Sequence, residues 1–335
     1  MECSIIMKSG ARKGDECAAK AYYKIDGEPV CGKHYHKLYD GDITQEIVVA
    51  ESLRTKKALG RILQGQIDKK KFARRVSPRY HTGQWQLSDF SHNFIKSGFS
   101  CKHDCAYCYI KPMNKRFGRD PEVVDMEDVM ETTDNKTDWP TNGNGRMCFF
   151  PSSHDIFEEN MEDYVDECLK IIGDGHEIMY VSKPHLEATD LFIELWPEDL
   201  RDKIHPYITI TSDDIKQLKI FEPNCADFEE RVRCLRHLYK AGFTTNVMIE
   251  PYLSDPMSFI PKIKKYVNGV IMIGPLNYGG AILSGFPKKK QKKLRAYLDD
   301  LYSDERVMKL YEKTKDDDTI LYKKKFIQRM LKLVH

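Results

Sequence analysis

Three cysteines within eight residues, Cys101, Cys105 and Cys108, are the densest cluster of reactive side chains in the chain. Thiolates at this spacing, Cys-x3-Cys-x2-Cys, can converge on one soft metal centre. Four cysteines would close a cubane iron–sulfur cluster, whereas three leave one iron without a protein ligand, and an open position is what a reactive metal needs. Zinc competes for the same residues with His103 as a fourth donor, although a histidine between the first two cysteines makes simultaneous ligation awkward. A second set lies near the start: Cys3, Cys17, Cys31 and His34, the last two as Cys-x2-His, with His36 able to replace His34. Gly10–Gly14 and Asp26-Gly27 supply hairpin turns between them, as in a small zinc ribbon. A segment of this size cannot hold a fold by burial alone, so Zn2+ is expected there. The other four cysteines, Cys148, Cys168, Cys225 and Cys234, are scattered and read as small buried hydrophobes.

The elements that must position the central cluster come from short apolar runs at Phe94–Phe99, Arg146–Pro151, Glu177–Ser182, Tyr207–Thr211, Thr244–Glu250 and Gly269–Ile273. Each is β-branched or aromatic and bounded by turn residues, and several are apolar throughout, as parallel strands buried on both faces should be. Helical spacing fills the gaps at Pro121–Glu131, Glu159–Ile172, Glu187–Trp196, Asp227–Ala241, Asp255–Tyr266 and Lys288–Tyr302. Six strand–helix units predict an α/β fold, a partial (β/α)6 TIM-type barrel with parallel strands, preceded by the small zinc-binding module. Chemistry in such folds sits at the carboxyl ends of the strands, which draws attention to Ser153, His154, Asp155, Lys183, His185, Ser212, Glu250 and Asn277.

The cysteine spacing, the aromatic Tyr107 before the last cysteine, and the place of the motif after the first barrel strand resemble the radical S-adenosylmethionine (SAM) superfamily. Tyr107-Cys108-Tyr109, Ser152–Asp155, Ser182-Lys183, Thr209–Ser212, Phe221-Glu222-Pro223 with Glu230-Arg231, and Ala241-Gly242 are similar to its spore photoproduct lyase-like branch. The resemblance implies a [4Fe-4S] cluster on Cys101, Cys105 and Cys108, reductive cleavage of SAM to a 5′-deoxyadenosyl radical, and hydrogen abstraction from substrate. It places SAM contacts at Ser153, Lys183 and Ser212, with Tyr107 flanking the cluster; from its position at a strand end Glu250 is the candidate to grip a ribose hydroxyl, and Tyr107, Tyr109 and Asp155 are the candidate catalytic residues. An electron donor such as flavodoxin or ferredoxin is implied as partner. Pro151–Asp155 stands where much of the superfamily has Gly-Gly-Glu, and Ser152 where the lyases carry a cysteine hydrogen donor. The resemblance therefore reaches the radical machinery and leaves lyase activity itself unsupported.

The whole chain has 335 residues, 41% hydrophobic and 31% charged, enough to bury a core and too apolar for a disordered protein. Its net charge of +2 hides opposed blocks. Arg54–Arg79 has ten basic residues and one acid, His154–Asp202 fifteen acids and three bases, and Lys288–Arg295 six bases and no acid. The expected organisation is a zinc-ribbon-like module over 1–45, a partly helical basic linker over 46–83, the barrel over 84–285 and a basic helical extension over 286–335. Basic blocks suit DNA or RNA as partner, in repair or modification. Two other readings stay open: a non-catalytic zinc-binding nucleic-acid adaptor, and a radical SAM enzyme acting on a protein or small molecule. Ile5-Ile6-Met7 is too short for a secretory signal, and the uncharged run Tyr266–Pro287 is interrupted by Pro275, Asn277, Gly279 and Gly280. The expectation is a soluble, cytoplasmic protein in a reducing compartment, with no membrane partner.

Overall fold

The computed structural model describes residues 23–25, 28–30, 56, 57, 60, 88, 90–93, 101–112, 147–277 and 279–333. Contacts divide the chain into two compact units, 1–42 and 43–335. In the first, β1 (Tyr23–Ile25) and β2 (Glu28–Val30) pair antiparallel, with Tyr23 opposite Val30 and Ile25 opposite Glu28, while the predicted Asp26-Gly27 turn lies outside the described residues. The expected zinc ligands Cys3, Cys17, Cys31 and His34 lie outside the described residues.

The second unit is built on seven parallel strands paired in chain order: β3 (Phe90–Ser91), β4 (Met147–Phe149), β5 (Glu177–Ser182), β6 (Ile204–Thr209), β7 (Asn246–Ile249), β8 (Ile271–Ile273) and β9 (Ile320–Tyr322). No pairing joins β9 to β3 among the described residues. Alternation along the strands sorts their side chains into two clusters. Cys148, Ile178, Tyr180, Ile204, Ile208, Val247, Ile249, Ile271, Ile273, Ile320 and Tyr322 share a core with helix residues. Met147, Phe149, Met179, Tyr207, Met248, Met272 and Leu321 form a second core to which no helix contributes among the described residues. A sheet whose one face packs on itself must curl, so the architecture is the predicted α/β partial barrel.

Helices cover the outer face because their apolar residues fall on one stripe. In α1 (Met161–Gly173) these are Met161, Tyr164, Val165, Cys168 and Ile171; α2 (Leu186–Leu195) buries Ala188, Thr189 and Phe192. After β6 come α3 (Ile215–Phe221) and α4 (Phe228–Lys240). Asp227 caps α4 by accepting from Glu230 N at 2.8 Å, and Gly242, at φ +86°, lies just beyond its end. The predicted helix Asp255–Tyr266 is instead three short turns, with only α5 (Ile260–Ile263) α-helical. Pro261 lacks the amide that a continuous helix needs and its ring crowds the preceding turn. The chain ends in α6 (Gly279–Ser284), α7 (Lys288–Leu301), α8 (Asp304–Thr314) and α9 (Lys324–Leu333).

Three features differ from the sequence expectation. Phe94–Phe99 lies outside the described residues, and the strand pairing with β4 is Phe90–Ser91. Strand β6 starts at Ile204, three residues early, with Pro206 inside it; the β6–β7 ladder begins one residue later, at Tyr207 opposite Asn246, and Asn246 Nδ2 donates to the Pro206 carbonyl at 3.3 Å. The region read as a basic helical extension supplies the seventh strand, β9. Among the described residues, no helix is long and apolar enough to cross a membrane.

Lys56, from the stretch read as a basic linker, is 2% exposed. Its Nζ donates to the carbonyls of Asp317 and, at 3.0 Å, Ile320, at the start of β9. Burial lowers its pKa to about 8 against the pull of Asp317 and its acidic neighbours. Replacing Lys56 with Met strips these carbonyls of their donor, and a loss of about 1–3 kcal/mol in urea unfolding is expected.

Candidate active site

Strand alternation decides which residues reach the inner face at the carboxyl end of the sheet. Lys183 follows Met179 and Val181, Thr211 follows Tyr207, Glu250 follows Met248, Gly274 follows Met272 and Lys323 follows Leu321, each two or four residues on. A Cβ on Gly274 would lie 2.8 Å from Lys323 Cγ and 2.9 Å from Glu250 Cδ, so those side chains meet directly over it.

The cysteine loop is wound by two tight turns, with Asp104 N bonded to Cys101 O at 3.0 Å and Cys108 N to Cys105 O at 3.1 Å. Asp104 occupies the left-handed region at φ 48°, which a short polar side chain tolerates best after glycine. The thiols respond to one another: burial, with the charge of Cys105 as a lesser contributor, raises the pKa of Cys108 and takes Cys101 to about 12. Cys105 moves the opposite way, to about 7, because its contact with Cys225 and the positive charge of Lys183 outweigh burial. As they stand, no three His, Cys, Asp or Glu side chains among the described residues are gathered to hold a metal ion. The donor set nevertheless suits a soft metal, with three thiols on one loop and the middle one already inclined to ionise.

Two buried carboxylates anchor this loop. Asp155 accepts from the Ser182 hydroxyl, from Ile156 N at 3.0 Å and from Lys183 N at 2.8 Å. His103 Nε2 lies 3.1 Å from its second oxygen, and His103 Nδ1 lies 3.3 Å from Asn224 O. Both imidazole nitrogens thus face protein oxygens, which takes His103 away from the metal-ligand role that zinc would need. Burial alone would push the Asp155 carboxyl up, but His103, Lys183 and the Ser182 hydroxyl hold it well below the usual carboxylate range.

Glu222 is the second anchor. It accepts from the Tyr107 and Arg231 side chains and from Thr211 Oγ1 at 2.9 Å. Arg231, 1% exposed, also donates to Ala226 O at 2.8 Å and Thr209 O at 3.1 Å. Burial raises Glu222, yet Arg231 and Lys183 bring its carboxyl below the ordinary range. Half-buried Lys183 is the common cation: its ammonium lies 5.6 Å from the Tyr107 ring centroid, and Cys105, Glu222, Cys225 and Asp155 together raise its pKa against the effect of burial.

The remaining predicted site residues occupy defined places. Tyr107 has its hydroxyl bound to Glu222, and Tyr109, 38% exposed, donates to the Ser152 carbonyl. Both hold the loop. Ser153 Oγ donates to Asn93 Oδ1 at 2.8 Å, while the same oxygen accepts from Ser152 N and Ser153 N. The Ser212 hydroxyl closes a local turn by accepting from Asp214 N at 2.9 Å. Glu250 pairs with Lys323 at 3.1 Å and accepts from Asn277 Nδ2 at 3.2 Å. His154 is buried and its pKa falls to about 4, so it stays neutral near pH 7.

Sequence reasoning left Asn93, Asn224 and Lys323 out of the site and gave Glu222 and Arg231 no role. It also placed Cys225 among the packing cysteines. Cys148, Cys168 and Cys234 are indeed fully buried, but Cys225 is half-buried and its Sγ lies 3.6 Å from Cys105 Sγ. The available signal was its setting: Glu222-Pro223-Asn224-Cys225 is a polar turn, outside any apolar periodicity.

No family model and no curated protein matches the chain. Solved structures of spore photoproduct lyase align with it at low similarity. The complex with dinucleoside spore photoproduct is 16% identical with a TM-score of 0.39, covering 62% of this chain and 59% of that one. A variant with bound AdoMet and the same dinucleoside is 14% identical with a TM-score of 0.37, covering 64% and 66%. The chain thus spans less than two thirds of the length of these structures.

Two measurements probe the anchors. Arg231→Met takes from buried Glu222 its paired guanidinium, with an expected cost of about 3 kcal/mol in urea unfolding, and the double change with Glu222→Gln restores part of it. A carboxyl depressed on folding stabilises above its unfolded pKa, near 4, and loses that contribution as pH falls. The stability gap between wild type and Asp155→Asn should therefore shrink as unfolding is measured from pH 6 towards pH 2.

Proposed function

We propose that this chain is a radical SAM enzyme whose Cys101, Cys105 and Cys108 hold a [4Fe-4S] cluster. The observation that carries the reading is the meeting of this three-thiol loop with Lys183 on the inner face of a parallel partial barrel, at the carboxyl ends of its strands. When bound, such a cluster supplies the electron that splits SAM into methionine and a 5′-deoxyadenosyl radical. The chain's own residues do the rest. Lys183 is placed to pair with the methionyl carboxylate beside the cysteine loop. Glu250 offers a carboxylate to a ribose hydroxyl, while Asp155, Tyr107 and Tyr109 hold the loop in register. Ser153 and Ser212 order the turns that border the site. The electron comes from a small redox protein of the flavodoxin or ferredoxin type.

Nucleic acid is the proposed substrate class. Helix α7 packs Leu294 and Leu298 in a cluster that includes Ala106 and Tyr107 of the cysteine loop. Lys288, Lys289, Lys290, Lys292, Lys293 and Arg295 of the same helix are exposed and make no ion pair among the described residues. A basic face so close to the site suits a phosphate backbone. The competing reading, a zinc-binding adaptor, now draws on Cys225 rather than His103 as a fourth donor at Cys101–Cys108.

Metal content separates the two. Anaerobic reconstitution should give a brown protein with about four irons per chain. With dithionite and SAM it should release 5′-deoxyadenosine, more so with DNA or RNA present, and Cys105→Ala should release none. A colourless zinc protein, or wild-type-like release from Cys105→Ala, would sink the radical reading.

A further inference from the structure

Cys225 has no part in the cluster proposed above, yet it faces one of its ligands. Its Sγ stands 3.6 Å from Cys105 Sγ, and the loops that carry the two are fastened on either side. Ala106 N donates to Phe221 O at 2.8 Å, the Tyr107 hydroxyl donates to Glu222, and Asn224 Nδ2 donates to Lys102 O at 2.9 Å. His103 adds its contact to Asn224 O. The contact between the sulfurs is therefore fixed by the fold, with residues 102, 103, 106 and 107 of one loop held to 221, 222 and 224 of the other. A disulfide bond of about 2.05 Å lies only about 1.5 Å of closure away from the 3.6 Å separation. Cys105 is buried whereas Cys225 is half-buried, so an oxidant can reach the pair from the Cys225 side.

We infer that Cys105 and Cys225 form a reversible disulfide when the cysteine loop carries no metal, and that this bond makes metal loading depend on thiol redox state. Both S–H bonds break and one S–S bond forms; the two electrons and two protons reduce one hydrogen peroxide to two waters. A dithiol reverses the step by exchange, becoming a disulfide itself. The bond would keep Cys105 from irreversible oxidation to the sulfinic acid while the metal is absent. Formation of the disulfide is independent of which metal the loop holds. Its effect on loading rests on the assignment of Cys105 as a ligand.

The test treats the metal-free full chain with hydrogen peroxide, blocks free thiols, and maps peptides without reduction. Trypsin with chymotrypsin is needed, since cleavage at Tyr107 separates Cys105 from Cys108. A Cys105 peptide joined to a Cys225 peptide and released by dithiothreitol is expected. A blocked free Cys225, or a bond from Cys105 to Cys101 or Cys108, would overturn the inference. A second arm reads bound iron, not turnover. Oxidised wild type should take up roughly tenfold less iron than reduced protein and recover on addition of dithiothreitol, while Cys225→Ser, its Cys105 unprotected, should lose iron uptake to peroxide without recovering it; full recovery in the variant would overturn the protective role. Failure of reduced Cys225→Ser to bind iron, with wild-type circular dichroism, would make Cys225 a ligand and refute the switch. If reduced wild type itself binds no iron, the radical SAM reading fails, and the peptide map still decides the disulfide.

Discussion

A carboxylate with no exposed side-chain surface stays ionised only if cations and donors surround it, and Glu222 is held in that way by Arg231, Lys183, Tyr107 and Thr211. The interaction links four parts of the chain. Arg231 comes from α4, Thr211 from the end of β6, Tyr107 from the cysteine loop and Lys183 from the end of β5. Taking Glu222 out of this arrangement would free the loop that carries the thiols. Such a pair contributes little net stability compared with apolar packing, because desolvation consumes most of the attraction. What it contributes is position: the guanidinium reaches two carbonyls and one carboxylate from a single rigid fork.

Asp155 plays the matching part on the other side of the loop. It draws His103 towards β5 while Asn224 holds the opposite ring nitrogen, so the segment between Cys101 and Cys105 is held at both ends of one imidazole. Lys183 stands between the two anchors and feels both carboxylates and two thiols. The half of the mouth formed by β7, β8 and β9 repeats the theme with Glu250, Lys323 and Asn277 over Gly274. The inner face of the sheet thus carries an apolar belt of Met147, Phe149, Met179, Tyr207, Met248, Met272 and Leu321 between the His205–Glu177 pair at the amino ends and the ionic groups at the carboxyl ends, which is where a polar ligand would be bound.

Strands β4, β5, β7 and β8 were legible because buried parallel strands are apolar on both faces and flanked by turn residues, and α4 because its cap, stripe and stop agree. β9 was not. Three residues, Ile320–Tyr322, carry too little pattern to stand out, and only their pairing with Ile271–Ile273 makes them a strand. The helix expected at Asp255–Tyr266 shows the opposite error, where apolar spacing outweighed the veto of Pro261.

Sequence by itself determined the reactive inventory: three thiols at a metal-binding spacing, a lysine and several polar residues at strand ends, and the parallel α/β frame that gathers them. Periodicity and spacing are local properties, so they can be read along the chain. Tertiary structure alone decided the partners. That Cys225 faces Cys105 across 120 residues, that His103 is committed to Asp155, and that Lys56 is a buried cation and not part of a solvated linker all depend on contacts between distant segments. Such contacts are set by which buried charges and donors the fold must satisfy, and no local pattern records them.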